Sequence, residues 1–380
     1  MVIKLRILGD VSDDDRRIIG KVTFGDIESS LREQYIRIIR ENTSHDSLDG
    51  YAAVLFEKQP LVAVTAPFIQ NLGTLDFIES NSIVVAEPGS GSLRVLYRPK
   101  SPHNVLFATN ACNSHCLMCS QPAFPVDNEK MVEELLKIIN LIPNQPKHIG
   151  ISGGEPTLLK DGLLKVLAKL KEKLPQTSVT MLSNARFLAY EDFTKKIAEV
   201  CHPDFSISIP LYSSDALSHD YIVQTKGAFD QTIQGLYNCA RYRLNVEIRI
   251  VLHKQTIPEL LNLADFIYRN IPFVSSVILM GMEHMGYVRK NWDLLWIDPV
   301  NYADILERTV QRLHYYRINT LLYNLPLCVL PKSLWNYARQ SISDFKNIYL
   351  EQCDECSQKN NCCGLFQSSE SCHSIGIKAI

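Results

Sequence analysis

From His103 onward the apolar positions switch between two rhythms. Short apolar runs rich in β-branched residues alternate with longer stretches in which apolar residues recur at helical spacing. Residues 105–109, 148–152, 178–182, 204–209, 246–252 and 277–280 predict strands. Residues 129–141, 158–173, 191–200, 228–242, 257–270 and 303–316 predict the helices that follow them. In the second of these helices Leu163, Val166, Leu167 and Leu170 share one face, and the Lys/Glu-rich remainder reads as a solvated face. Six strand–helix units in series predict parallel strands joined by right-handed crossovers. Six units rather than eight favour a partial (β/α)6 barrel, with a flat doubly wound sheet as the alternative.

The first hundred residues follow a different pattern. β-favouring stretches at 3–8, 18–24, 52–56, 61–64, 82–86 and 93–97 predict a strand-rich N-terminal module. The last two flank Glu87-Pro88-Gly89-Ser90-Gly91-Ser92, a hairpin turn; no Lys-Ser/Thr follows to make it a phosphate loop. Pro99, Ser101 and Pro102 mark a boundary, and the regular alternation ends beyond residue 322. The expected domains are a module at 1–102 that caps the barrel or recognises a peptide, a barrel at 103–317, and a cysteine-rich extension at 318–380.

Composition narrows the class. At 380 residues with 46% hydrophobic and 21% charged, the chain can bury a large core. Its formal charge of −2 lacks the footprint of a dedicated nucleic-acid binder. No long uninterrupted apolar run predicts a membrane-spanning helix, and the charged N-terminus does not read as a signal peptide. A cytoplasmic enzyme is the default, and there close-spaced cysteines read as metal ligands or catalysts before disulfides. Of the 11 cysteines, six lie beyond residue 300.

The sharpest chemical signal is Cys112-Asn113-Ser114-His115-Cys116-Leu117-Met118-Cys119, in the loop after the first barrel strand. Three soft thiolates on one short loop suit iron–sulfur or zinc. Zinc normally closes with a fourth protein ligand, and His115 is poorly placed to be one. Three ligands with one open position suit a catalytic cluster. The loop after the second strand reads Gly153-Gly154-Glu155-Pro156, whose glycines let backbone approach a ligand and whose carboxylate can accept from an amino group. In α/β barrels these loops share the active-site end.

Cys112, Cys116 and Cys119 with Gly153-Gly154-Glu155-Pro156 resemble the radical S-adenosylmethionine superfamily over about residues 104 to 290. The resemblance implies a [4Fe–4S] cluster on the three thiolates, with the methionine amino and carboxylate groups of S-adenosylmethionine on its open iron. It implies that the Gly-Gly-Glu-Pro loop contacts the amino group, and that reductive cleavage releases a 5′-deoxyadenosyl radical. Met118 departs from the aromatic usual before the third cysteine. The ends of strands four and five offer Ser206 or Ser208, and Arg249, for cofactor contacts. The plainer alternative is that the serines finish a strand and Arg249 pairs with a carboxylate. Ser183, Asn184 and His253 could also face the cavity, and no general base stands out.

In the tail, Cys353, Cys356 and Cys362 form C-x2-C-x5-C, resembling part of the SPASM and twitch extensions that bind auxiliary clusters. The full SPASM pattern would continue with a cysteine where Phe366 stands, which favours one auxiliary [4Fe–4S] cluster over two. Cys328 is the preferred fourth ligand, with Cys363 and Cys372 as alternatives and zinc as the other metal. Cys201 and Cys239 read as small buried hydrophobes. The segments 109–122, 323–331, 341–344 and 362–366 resemble the C-type radical maturases of His-Xaa-Ser repeat peptide systems, although Cys363 replaces their usual glycine. That resemblance implies a ribosomally made precursor peptide as substrate, a second radical maturase as partner, and a reductant such as flavodoxin or ferredoxin. Two other readings stand beside it: a radical enzyme acting on a small metabolite or nucleotide, and a zinc-stabilised binding module.

Overall fold

The computed structural model describes residues 5–11, 13–40, 47–61, 64–143, 145–200 and 202–380. The N-terminal module is one seven-stranded sheet. Its strands are β1 (Arg6–Leu8), β2 (Ile18–Thr23), β3 (Tyr35–Ile39), β4 (Ala53–Phe56), β5 (Phe68–Ile69), β6 (Ile83–Glu87) and β7 (Ser92–Tyr97), in the order β1-β7-β6-β2-β3-β4-β5. β6 and β7 form the expected antiparallel hairpin, while β2 to β5 pair in parallel. β3 was not foreseen, because Arg37 interrupts its apolar run; Ile36 and Ile38 nonetheless bury fully on one side. No strand forms at Leu61, which is exposed, and residues 62–63 lie outside the described residues. The neighbouring strand pairing goes to Phe68–Ile69 instead.

One face of this sheet carries its own core around Val22, Leu55, Val84 and Leu93. The opposite face presents Ile19, Ile83, Val85 and Tyr97 to the barrel core. Burial of that apolar face holds the module against the barrel and fixes it beside the first barrel helix.

The barrel strands are β8 (Asn104–Phe107), β9 (His148–Ser152), β10 (Ser178–Leu182), β11 (Phe205–Pro210), β12 (Asn245–Leu252), β13 (Ser276–Gly281) and β14 (Thr320–Tyr323). They lie in strictly sequential order and every pair is parallel. A doubly wound sheet reverses its strand order at a switch point; this one does not reverse, so that alternative is excluded. The helices are α1 (Asn128–Leu141), α2 (Asp161–Lys173), α3 (Glu191–Val200), α4 (Ala216–Val223), α5 (Ala228–Arg241), α6 (Leu260–Asn270), α7 (Tyr287–Lys290), α8 (Trp292–Leu295) and α9 (Ala303–Tyr315).

β12 shows why the two faces differ. Val246, Ile248, Ile250 and Leu252 bury in the helix layer, while Glu247, Arg249 and Val251 alternate to the inner face. The edge strands β8 and β14 do not pair with each other, yet Val105, Phe107 and Tyr323 line one inner cavity of ≈ 970 Å³ with Thr180 and Arg249. The sheet is therefore curled into an open barrel. β14 is a seventh strand that the sequence pattern did not separate from the tail, and it carries the sheet past the boundary expected at residue 317. Its brevity, and the absence of a following α-helix, hid it.

Beyond β14 the chain forms short turns and a two-stranded antiparallel pair, β15 (Asn347–Ile348) with β16 (Leu365–Phe366). Trp335 ties this segment together by donating Nε1 to Leu327 O at 3.1 Å. Among the described residues no helix is long and apolar enough to cross a membrane.

Candidate active site

The cysteine loop leaves β8 and is clamped from two sides. His115 N and Leu117 N donate to Val223 O and Ile222 O of α4, at 3.1 and 2.9 Å. From the other side Asn291 Nδ2 donates to Leu117 O at 2.8 Å, and Tyr287 N to Cys119 O at 2.8 Å. Leu117, Met118, Tyr212, Ile222 and Val288 bury as one apolar cluster beneath it. Cys112, Cys116 and Cys119 are all partly buried and not disulfide-bonded, whereas His115 is exposed. Burial pushes the Cys112 thiol up to about 11 and Cys116 up to about 12, and the neighbouring thiols add to both shifts. Burial raises Cys119 as well.

Three thiols this close resist ionisation together, so they become thiolates only with a positive group among them. Among the described residues no three His, Cys, Asp or Glu side chains are placed to hold a single metal ion. Tetrahedral Zn–S bonds of about 2.3 Å would draw sulfurs to roughly 3.8 Å apart. That single-ion geometry is not formed by these thiols, whereas three soft thiolates with an open position are the donor set of an iron–sulfur cluster.

The Gly153-Gly154-Glu155-Pro156 turn follows β9 and packs against the cysteine loop. Gly154 N and Glu155 N donate to Thr109 O and Ala111 O at 2.6 and 2.8 Å. A Cβ at Gly154 would stand 2.2 Å from Ala111 O, and one at Gly153 2.5 Å from Thr109 O at a φ of +143°. The close approach that needs glycine is thus first an approach to protein backbone. Glu155 is 1% exposed. Its carboxylate accepts from Thr157 N at 3.0 Å, Thr157 Oγ1 at 2.6 Å, Ser183 Oγ at 2.7 Å and Asn184 N at 2.7 Å. Burial raises its pKa against the pull of those donors. Internal donors thus already engage the carboxylate expected to meet a ligand amino group. Pro156 is buried and opens the 3-10 turn Pro156–Leu159.

Ser183 and Asn184 likewise turn to the loops. Asn184 Nδ2 donates to Asn113 Oδ1 at 2.6 Å, and Arg186 donates to Asn113 O and to Ser114 Oγ, the latter at 3.1 Å. His253 is fully buried; Gln255 N donates to its Nδ1 at 3.2 Å, and burial pushes its pKa down to about 3. It stands beside the buried Tyr212, 6.3 Å between ring centres, and Tyr212 feels the charges of Cys116 and Cys119.

On the inner face, Ser208 Oγ donates to Glu247 Oε1, which Arg249 also holds from Nε at 3.0 Å and Nη2 at 2.9 Å. Arg249 therefore pairs with a carboxylate, as the plainer reading had it, while still lining the cavity under Tyr323. Glu247 was missed. The alternation of β12 puts it on the same face as Arg249, and that signal could have found it. Ser206 Oγ joins Thr180 Oγ1 at 3.1 Å, and Thr180 joins His148 Nε2 at 3.1 Å.

In the extension Cys328, Cys353, Cys356 and Cys362 line one small cavity. Cys363 is buried with Ile342 and Phe366 and does not line that cavity, and Cys372 is exposed. The thiol of Cys363 and Leu327 N, the latter at 3.4 Å, hydrogen-bond Cys362 and help bring its pKa down to about 6. These four soft donors are the donor set of a closed cluster or zinc centre, although among the described residues no three are placed to hold a single ion. Cys239 sits in the barrel core as expected, and Cys201 lies outside the described residues.

Residues 106–267 match the family model described as the Radical SAM superfamily. The chain is similar to the Fe-coproporphyrin III synthase of Methanosarcina barkeri (strain Fusaro / DSM 804), 29% identical over 223 residues, covering 57% of this chain and 53% of that protein. The chain thus spans about half the length of the curated relative it matches. Among solved structures it is similar to Streptococcus suis SuiB bound to S-adenosylmethionine, at 17% identity and a TM-score of 0.43, covering 58% of this chain and 46% of that one. It is also similar to native anSMEcpe with bound AdoMet and peptide, at 15% identity and a TM-score of 0.44, covering 57% and 62%.

Proposed function

We propose that this radical SAM domain belongs to a maturase that cleaves S-adenosylmethionine reductively and modifies a ribosomally made precursor peptide of the His-Xaa-Ser type. The observation that carries the radical chemistry is the set of three mutually close thiols at the C-terminal end of β8, backed by the Gly153-Gly154 turn. Cys112, Cys116 and Cys119 would hold a [4Fe–4S] cluster with one iron open to the cofactor. When bound, that cluster supplies the electron that breaks a sulfonium C–S bond of S-adenosylmethionine and yields the 5′-deoxyadenosyl radical.

The chain's own residues do the positioning. Glu155, through Asn184 and Asn113, ties the second and third barrel loops to the cysteine loop. With its carboxylate engaged, the backbone of Gly153 and Gly154 is left for the cofactor's amino group. Ser208 and Arg249, oriented by Glu247, are held ready for the cofactor's carboxylate or ribose. Tyr212 and His253 pack below the loop and exclude water.

Cys328, Cys353, Cys356 and Cys362 would hold an auxiliary [4Fe–4S] cluster in a SPASM/twitch-like extension, with zinc as the alternative. The cavity is walled by the barrel, the N-terminal module and the extension, so residues 1–102 and 318–380 both border the substrate space. Val105, on the open edge strand β8, is 44% exposed and offers an extended peptide a strand to pair with. A second radical maturase and a flavodoxin or ferredoxin complete the proposed partners.

A second reading, a small-molecule substrate, draws on the curated relative, whose name is that of a coproporphyrin synthase. The ≈ 970 Å³ cavity is large enough for a macrocycle. The test is anaerobic reconstitution with iron and sulfide, reduction, and incubation with S-adenosylmethionine and either the precursor peptide or a coproporphyrin. A mass change in the peptide with 5′-deoxyadenosine supports the maturase, and a mass change only in the porphyrin supports the second reading. Absence of 5′-deoxyadenosine in every arm sinks both.

A further inference from the structure

Where the N-terminal sheet meets α1, three guanidiniums crowd against two carboxylates. Arg6 on β1 stands directly across from Arg94 on β7 in the antiparallel register. Side chains so placed share one face at the closest spacing a ladder allows, and like charges there are destabilising. Arg17, just before β2, adds a third positive charge. Burial lowers the Arg94 pKa, and Arg17 and Arg6 lower it further.

Glu87 and Glu134 offset part of this repulsion at Arg94, but they are shared unevenly. Arg17 takes both, meeting Glu134 on α1 with Nη2 at 2.8 Å and Glu87 with Nη1. Arg94 is left with a 3.7 Å approach to Glu87. Arg6 makes no ion pair among the described residues. Arg17, Arg94 and Glu134 line the cavity that also reaches Ser120 and Gln121, next to the third cysteine. Arg94 stands on that wall, and Arg6, exposed outside it, faces Arg94 across the ladder, a local conflict of the kind found at functional sites.

We propose that Arg6, Arg17 and Arg94 form a carboxylate-binding subsite for the substrate, a deepening that rests on the radical enzyme reading above. A carboxylate placed between Arg6 and Arg94 turns their repulsion into two charge-assisted hydrogen bonds. Guanidiniums suit this role because their planar fork matches a carboxylate. The ligand class is a molecule with clustered carboxylates, supplied either by acidic side chains of a peptide or by the acid arms of a small polycarboxylate.

The test uses the full chain, reconstituted anaerobically, with two probes: a fluorescent hexaglutamate peptide followed by anisotropy, and butane-1,2,3,4-tetracarboxylate followed by calorimetry. The wild type binds at least one probe. Arg94→Gln and Arg6→Thr each weaken that binding about tenfold, as loss of a charge-assisted contact does. Added salt weakens wild-type binding more than that of either variant. With no probe present Arg6→Thr raises the Tm at low salt, because a repulsion is gone. Binding of the peptide alone assigns the site to acidic side chains, and binding of the tetracarboxylate assigns it to a small acid. Failure of both probes, affinity unchanged in both variants, or loss of binding in Arg6→Thr together with a lower Tm each overturns the proposal. Substrate-free cleavage of S-adenosylmethionine by the same wild-type preparation reports separately on the radical reading.

Discussion

The Glu155 carboxylate accepts the backbone N–H of Asn184 at 2.7 Å while it is 1% exposed. The Asn184 side chain passes the constraint to Asn113, between the first two cysteines of the loop. A buried carboxylate with four donors is a structural keystone. Its loss should be read in the cysteine loop before it is read anywhere else.

Glu155→Gln keeps the shape but turns one acceptor into an N–H₂ facing donors. We expect a loss of about 2–4 kcal/mol in stability, the range for an unsatisfied buried group once bound by charge-assisted bonds. The measurements are a thermal melt and iron content after reconstitution, and both should fall. Unchanged iron with unchanged Tm contradicts the clamp.

Gly154→Ala places a methyl group 2.2 Å from Ala111 O. The obstacle is backbone, so the two loops must separate, at a cost of about 1–3 kcal/mol for a forced overlap. We expect iron uptake at the cysteine loop to drop severalfold while far-ultraviolet circular dichroism keeps the barrel signature. Wild-type iron content would mean that the two loops do not depend on each other.

The auxiliary assignment separates the tail cysteines by experiment. A chain with both clusters carries about eight irons, and a chain that loses one carries about four. Cys328→Ala, Cys353→Ala, Cys356→Ala and Cys362→Ala should each fall to the lower value. Cys363→Ala and Cys372→Ala should keep the higher one, since neither side chain lines the shared cavity. The reverse pattern for Cys328 and Cys363 would reassign the fourth ligand.

His253 gives a pH prediction. Its folded pKa, pushed down by burial to about 3, lies below the ordinary 6.5. Between those values the unfolded chain binds the proton and the folded one does not, so stability rises with pH there. The contribution is fully present above pH 6.5 and is lost as pH falls toward 3. Replacing His253 with Asn should flatten denaturation midpoints across that window; an unchanged slope would show that His253 is protonated in the fold.

Much of this was legible in the sequence because it is local. The spacings of Cys112, Cys116 and Cys119 and of Cys353, Cys356 and Cys362, and the strand-to-helix rhythm from residue 103, depend on short-range pattern; Cys328 was chosen by resemblance, and the structure places it with the tail three around one cavity. What the sequence hid is set by long-range partners. The internal role of Glu155 shows only where Ser183 and Asn184 reach it from the end of another strand. Tyr35–Ile39 does not alternate, since both of its faces bury. β14 is four residues long and shows itself only by pairing with β13. The Arg6–Arg94 opposition exists only in the register of a sheet.

In the proposed function the three thiols of the first loop hold the cluster at which S-adenosylmethionine is cleaved. The direct measurement is 5′-deoxyadenosine formed by reduced, anaerobically reconstituted wild type and by Cys112→Ala, with iron and zinc quantified in both. We expect iron in the wild type, 5′-deoxyadenosine from it, and none from Cys112→Ala, which should retain only the auxiliary iron. Zinc without iron in the wild type, or undiminished 5′-deoxyadenosine from Cys112→Ala, would contradict it.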